Sequence, residues 1–294
     1  MLFGCLGSIF RSKLFHRHSP VGTRIVLGVH SLFFASLLFC PEPCTAADEL
    51  LKTISTPRFT LHISADPQNS SGEPEEVVDS IASESIAILN QNYEELSRIF
   101  AMEPSRRVVL RFMSPDEFHR QTGAPKWTSA MYFRGEITVP IQTGKGTNRQ
   151  QLQRALRHEY VHAVIAELSR NKAPAWIDEG LAQLLEGRPN PILGPSLRRW
   201  LSEDNPMPLE WLDSGFTTLE DGVVPAAYAQ SLFATRTIVN KYGFDAVRKY
   251  LTLLSEGENS AAAFEFAFGL PQERFEQQLA QQLLRWAAGP ALQP

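Results

Sequence analysis

LRHEYVHAVIAELSRNKAPAWIDEGLAQLLEG, residues 156–187, is the stretch that organises this chain. It contains the pattern HEYVH, in which His158 and His162 enclose Glu159, and Glu179 follows 17 positions after His162. Residues four apart on a helix project from the same face about one turn apart, so both imidazoles can reach a single ion. Zinc suits such ligands, and the neighbouring Glu159 is placed to deprotonate a water. The pattern therefore predicts a metal site that carries its own base.

Helix signals surround this pattern. Thr147 or Asn148 can cap a helix that contains the two histidines, and Pro174 closes it. On a helical projection the histidines fall between two apolar flanks, which predicts a buried helix. Burying two imidazoles without partners is costly, and a shared metal removes that cost. The competing interpretation is a pair of core histidines that their neighbours satisfy.

A second short helix is predicted after Pro174. It can fold back on the first and bring the carboxylate of Glu179 to the same ion as a third ligand, which leaves a fourth position for water. Gly180 would permit close approach of the two helices. Gln183, one turn beyond Glu179, is the candidate to hold a ligand imidazole in its tautomer, and Asp178 is its competitor.

The two halves of the stretch together resemble a known family. HEYVH followed by PAWIDEGLAQ is similar to the Peptidase MA-like group of gluzincins, zinc metallopeptidases whose third ligand is a glutamate in a W-x-x-E-G-x-A context. All chemical positions of that motif are occupied here, by His158, Glu159, His162 and Glu179. The resemblance extends from about Arg58 to the C terminus, and it implies a zincin-like fold, one zinc ion per chain and hydrolysis of peptide bonds. It also implies a tyrosine facing the cleft, for which Tyr228 is the candidate; a core tyrosine is the alternative.

The first 46 residues indicate an export signal. Four basic residues precede an apolar run over residues 25–40, and small residues follow at positions 44–47. This run of 16 residues is short for a membrane-spanning helix, which needs about 20. We therefore predict a signal peptide over residues 1–46 and a mature protein that is periplasmic or extracellular. A retained leader that anchors the protein to a membrane is the alternative.

Charge and cysteine usage narrow the range of partners. The chain carries 28 basic and 32 acidic residues, a net charge of −4, and loss of the leader removes four basic residues and Glu42 to give −7. This charge argues against nucleic acid or an anionic membrane surface as a partner. Cys5, Cys40 and Cys44 all lie within the first 46 residues, so the mature chain offers no thiol to a metal.

The rest of the chain predicts an α+β fold in which a small mixed sheet with an edge strand lies over the active-site helix and a helical part follows. Residues 47–148 are predicted as an N-terminal α/β subdomain, with strands over residues 59–63, 108–112, 130–133 and 136–141. Residues 149–294 are predicted as a zinc-binding helical subdomain.

Pro140 bears on the edge of this sheet. It lacks an amide hydrogen, which predicts that the strand of residues 136–140 lies at an edge. An exposed edge offers unpaired backbone groups to which an extended peptide adds as a further strand. The resemblance to gluzincins implies that such a strand runs beside the zinc cleft, and residues 136–140 are our candidate for it; a hairpin that only completes the sheet is the alternative.

These observations lead to the hypothesis of an exported zinc metallopeptidase that acts on peptides or proteins. Glu159 is the general base that deprotonates the zinc-activated water, and Tyr228 is the candidate donor to the oxyanion. Three alternatives from other classes stay open. The first is a catalytically silent binding module on the same fold, and the second is a metal-dependent hydrolase of a non-protein amide such as cell-wall material. The third is a structural zinc protein, which is disfavoured because its site would want a fourth protein ligand and no spare Cys or His is at hand.

Overall fold

The computed structural model describes residues 50–64, 75–125, 128–141, 148–187, 190–216 and 219–289. Contacts divide the chain into the units Met1–Thr45 and Ala46–Pro294, and every described residue belongs to the second. The predicted signal peptide and the predicted cap Thr147 lie outside the described residues. The division of the mature chain at residues 148 and 149 stays a prediction.

Five strands form one mixed sheet. They are β1 (Leu50–Ser55), β2 (Phe59–Ser64), β3 (Val108–Met113), β4 (Met131–Phe133) and β5 (Glu136–Pro140). Their order is β1-β2-β3-β5-β4; β3 runs parallel to both β2 and β5, whereas the outer strands pair antiparallel to their neighbours. Side chains of β2 and β3 alternate between buried and partly buried, which is the pattern of strands with one face against the core. The sequence analysis did not find β1, whose side chains are exposed or only partly buried.

The prediction that residues 136–140 form the sheet edge is wrong, because β5 lies between β3 and β4. The edge strand on this side of the sheet is β4, which pairs with β5 only from Met131 opposite Thr138 to Phe133 opposite Glu136. The amide of Ile141 donates to the Met113 carbonyl on β3, so the nitrogen of Pro140 faces the other side. Strand β4 does not extend to the position opposite Pro140, so the missing amide hydrogen of Pro140 removes no hydrogen bond between β4 and β5.

Helices make up most of the remaining fold. They are α1 (Glu75–Phe100), α2 (Pro115–Thr122), α3 (Arg149–Ser169), α4 (Ala175–Leu185), α5 (Leu193–Glu203), α6 (Val224–Glu256), α7 (Ser260–Phe268) and α8 (Gln272–Ala288), with a 3-10 turn at Leu209–Leu212. A kink at Gly243, where φ is 76°, divides α6 at the position where the sequence predicts a helix end. The predicted α+β class, with a small mixed sheet followed by a helical part, is confirmed. No helix in the described ranges is long and apolar enough to span a bilayer.

Helix α3 carries the HEYVH pattern through the centre of the fold. Asn148 caps it by accepting hydrogen bonds from the amides of Gln150 and Gln151, and it ends where Arg170 takes the left-handed conformation. Its neighbours are α1, α4, α6 and the strands β4 and β5. Contacts on all these sides keep its backbone fixed, so side chains from its exposed face are presented in set directions.

Gly180 permits a close helix contact, but with a different helix from the one predicted. A Cβ atom at this position would lie 2.1 Å from Thr235 Oγ1 and 2.5 Å from the Ser231 carbonyl, both on α6. Separations this short require the backbone of α6 or α4 to move. The glycine therefore sets the packing of α4 on α6, and with it the position of the adjacent Glu179.

Candidate metal centre

The structure brings the three predicted ligands together. One nitrogen from each of His158 and His162 and one oxygen from Glu179 lie within 4.8 Å of one another. The Glu179 oxygen is 3.6 Å from His158 Nε2 and 3.7 Å from His162 Nε2. Two ligand atoms that each bind an ion at about 2 Å are separated by at most about 4 Å, so these distances fit a shared cation. Their role as ligands stays a prediction.

The chemistry of the three side chains also fits zinc. Oε2 of Glu179 is buried and accepts no hydrogen bond from any described residue, although a buried carboxylate oxygen normally has a partner. A cation held between it and the two imidazoles would supply that partner. Two nitrogen ligands and one oxygen ligand are a common set for catalytic zinc. Side-chain exposures of 11–22% leave the group reachable from solvent, as a catalytic site requires.

Acidic neighbours orient both imidazoles. Nδ1 of His158 lies 2.9 Å from a carboxylate oxygen of Glu186, and Nδ1 of His162 lies 2.8 Å from one of Asp178. With Nδ1 donating to a carboxylate, each ring presents the lone pair of Nε2 toward Glu179. Asp178 therefore takes the position that the sequence left open between it and Gln183. The buried amide of Gln183 has no hydrogen-bond partner among the described residues.

Glu186 was missed by the sequence analysis, although a signal for it exists. It follows Glu179 by seven residues, which is two helical turns along the same face, so a ligand helix that continues to Glu186 would carry both acids toward α3. Its side chain is only 6% exposed and also pairs with Arg154 of α3. The arginine offsets part of the cost of burying this carboxylate.

The group has a strong negative potential. Burial opposes protonation of His158, but the nearby carboxylates of Glu179 and Glu186 raise its pKa well above the usual range. Burial also opposes protonation of His162, but the charges of Asp178 and Glu179 outweigh this effect and raise the pKa of His162 to about 9. The pKa of Glu179 is lowered, since the two imidazoles outweigh its burial. An environment that attracts protons this strongly also attracts a divalent cation in their place.

Glu159 lies between this group and the sheet edge. It is 7% exposed, and its carboxylate accepts a hydrogen bond of 2.6 Å from the amide of Tyr132 on β4. Burial raises its pKa, which makes it a stronger proton acceptor than a solvated glutamate. The candidate base thus lies beside both the predicted ligands and the strand β4.

Tyr228 lies on the first turns of α6, close to the same carboxylates. Burial, together with the charges of Glu179 and Glu159, raises the pKa of its hydroxyl. Its ring packs edge-on against Phe216 at 4.7 Å between centroids. The role of this hydroxyl as a donor to the oxyanion stays a prediction.

Glu186→Gln should weaken zinc binding by about 10–100-fold, because the amide orients His158 less strongly than the carboxylate does. Competition with a chromophoric chelator measures this affinity. Two controls isolate the effect. Arg154→Gln breaks the ion pair without touching the histidine, and Gln183→Leu removes an amide that has no described partner. Both should bind zinc like the wild type, and an equal loss in either would refute the orienting role of Glu186.

The chain is similar to known proteins in sequence and in fold. The family model of the Peptidase MA superfamily matches residues 122–284, more than half of the chain. No curated protein matches the sequence. Among solved structures, an M1 zinc metallopeptidase from Deinococcus radiodurans is 14% identical, with a TM-score of 0.38. A mutant of a two-domain M1 zinc metallopeptidase bound to L-arginine is 16% identical, with a TM-score of 0.37. Each match covers 84% of this chain and 53% of the solved one, so the chain spans about half their length. On the family match, this chain belongs to the Peptidase MA superfamily.

Proposed function

We propose that this protein is an exported zinc metallopeptidase that hydrolyses peptide bonds. The observation that carries the proposal is the convergence of His158, His162 and Glu179 on one point, with Glu159 beside them at the edge of the sheet. Membership of the Peptidase MA superfamily supports it. Export rests on the leader over residues 1–46, and recovery of a chain that begins near residue 47 outside the cytoplasm is its check.

Three side chains would hold the ion, which leaves a fourth coordination position for water or substrate. Bound there, a zinc ion supplies Lewis acidity, which lowers the pKa of a water and polarises the carbonyl of the substrate. Carboxylates of Asp178 and Glu186 keep the imidazoles in place as the charge at the centre changes during turnover.

Strand β4 would align the substrate. Its Tyr132 amide points away from β5 and already donates to Glu159, and the carbonyl of Tyr132 points to the same outer side, where it would accept a hydrogen bond from an extended peptide. A peptide paired with this edge passes directly in front of Glu159. Backbone pairing of this kind holds many sequences in one register, which suits a peptidase.

Glu159 would move the proton in both halves of the reaction. It takes a proton from the attacking water and then donates it to the nitrogen of the departing amine. Its burial supports this role, because a raised pKa lets the carboxylate hold the proton between the two steps. The hydroxyl of Tyr228, which approaches from α6, is the candidate donor to the oxyanion that forms on the substrate carbonyl.

Hydrolysis of a mixed peptide library tests the proposed activity. The purified protein should cleave library members, a chelator should stop cleavage, and added zinc should restore it. Mass spectrometry of the products measures cleavage. Zinc binding without any cleavage would instead favour the silent binding module. Cleavage of a cell-wall amide in the absence of peptide cleavage would favour the non-protein amide hydrolase.

A further inference from the structure

A basic cavity of about 580 Å³ opens at the end of the edge strand. Arg106 and Arg107, which precede β3, line it together with Arg134 from the turn between β4 and β5. All three side chains are exposed. Within the part of the chain that the structure describes, none of the three guanidinium groups forms an ion pair with a carboxylate. Arg134 lies 5.1 Å from the ring of Phe133.

The one acid that lines this cavity does not neutralise the arginine side chains. Glu167 of α3 accepts hydrogen bonds from the amide and the hydroxyl of Ser105, at 2.9 and 2.6 Å, and from the amide of Arg106 at 3.2 Å. These three donors come from Ser105 and the backbone, so Glu167 fixes the segment that carries the arginines. The cavity keeps a net positive charge in a chain whose overall charge is negative.

The cavity continues the proposed substrate path. Glu159, Ala163 and Glu167 follow one another at intervals of four residues along α3, and the last two line the cavity. Each interval advances about 6 Å along the helix. Above them, β4 runs from Tyr132, whose amide binds Glu159, to the turn that carries Arg134. Tyr132 also lines the cavity, so this one residue contacts the candidate base Glu159 and borders the same cavity as the arginines.

We propose that this cavity is a subsite for a carboxylate of the bound peptide, an inference that rests on the proposed function. An extended chain advances about 3.3 Å per residue, so a side chain two or three residues from the cleaved bond would reach the arginines. Antiparallel pairing is the stronger arrangement, and because β4 runs toward the cavity it places the residues that precede the cleaved bond there. The preferred substrate therefore carries Asp or Glu upstream of the bond. Guanidinium groups suit this recognition because they bind carboxylates in a bidentate manner.

Calorimetric binding to the full chain tests the subsite without requiring turnover. The zinc-loaded Glu159→Gln variant is titrated with three alanine-based peptides. The first is acetylated and amidated and contains one Glu, the second has Gln in its place, and the third has the Gln sequence with a free C-terminal carboxylate. The Glu peptide should bind at least about tenfold more tightly than the Gln peptide, because charge-assisted contacts to arginine are lost in the second.

Substitution of the arginines identifies the cavity as the source. Combining R106Q, R107Q and R134Q with E159Q should abolish the preference, whereas the exposed Arg199→Gln on α5, added to E159Q, should keep it. Thermal melting verifies that each variant is folded. Tighter binding of the third peptide than of the second would place a C-terminal carboxylate in the cavity and would overturn the upstream position proposed for the acidic residue.

Three outcomes would overturn the subsite: equal affinity for all three peptides, no measurable binding of an acidic peptide, or a preference that survives the triple substitution. The library assay decides the peptidase activity separately. If the protein binds acidic peptides through the arginines but cleaves no peptide, the subsite stands and the proposed function fails. If it cleaves peptides but shows no preference for the acidic peptide, the proposed function stands and the subsite fails.

Discussion

Glu159→Gln should lower peptide turnover by about 10²–10⁴-fold while leaving the zinc content at about one ion per chain. Glutamine has nearly the same shape and its oxygen can still accept the hydrogen bond from the Tyr132 amide, so the local structure should persist. It cannot take a proton from water at neutral pH. Single-turnover hydrolysis measures the loss, and elemental analysis of the same sample measures the zinc.

Two variants in the same assay make this result specific. Glu203→Gln on the exposed end of α5 removes an equal charge away from the centre and should leave turnover unchanged. Tyr228→Phe should lower kcat by about 10²-fold with unchanged zinc content if its hydroxyl stabilises the oxyanion. Wild-type turnover in Glu159→Gln would eliminate this residue as the base, and wild-type kcat in Tyr228→Phe would return the tyrosine to a packing role.

Local periodicity explains why the ligands could be predicted from the sequence. Residues four apart on a helix must share a face, so His158 and His162 were paired before any tertiary contact was known. Glu179 required the resemblance in addition, because its approach depends on how α4 returns after Pro174. The mixed sheet followed by helices could be predicted for a similar reason, since alternating and helical patterns mark its elements separately.

Tertiary contacts explain what the sequence could not supply. Pro140 predicts an edge strand, but β5 is an inner strand whose short neighbour β4 ends before it reaches this residue. Strand ends are among the least certain features of a sequence prediction. The neighbour of Gly180 is Thr235, which is 55 positions later in the chain. Likewise, Arg106 and Arg134 line the same cavity only because the start of β3 and the β4–β5 turn lie at the same end of the sheet.

The acids that orient the histidines, Asp178 and Glu186, could be predicted in part from helical geometry and in part depend on tertiary packing. Asp178 lies in α4 and Glu186 caps its C-terminal end, so helical geometry restricts both to the region of Glu179. Which of the polar residues on that helix reach a histidine depends on the angle between α3 and α4. That angle follows from packing, including the contact of Gly180 with α6, so Gln183 remained a reasonable candidate until the structure excluded it from that contact.

His162→Ala should lose zinc and activity together, because two remaining ligands cannot hold a catalytic ion tightly. After dialysis the zinc content should fall from about one ion per chain to near zero. The wild type should also gain stability from zinc, by about 2.7 kcal/mol when free zinc is 100 times Kd, and this gain should disappear in the variant. Denaturant unfolding with and without zinc measures it.

The matched control is His62→Ala on β2, where the imidazole contacts Thr53 of the neighbouring strand. It removes the same side chain from the sheet and should retain full zinc content. The two interpretations of the histidine pair then separate. If His158 and His162 were only core residues, His162→Ala would destabilise the protein to the same extent with and without zinc, and the wild type would carry no ion for the variant to lose. A zinc-dependent difference in unfolding free energy, present in the wild type and in His62→Ala but absent in His162→Ala, can arise only if the ion binds at His162.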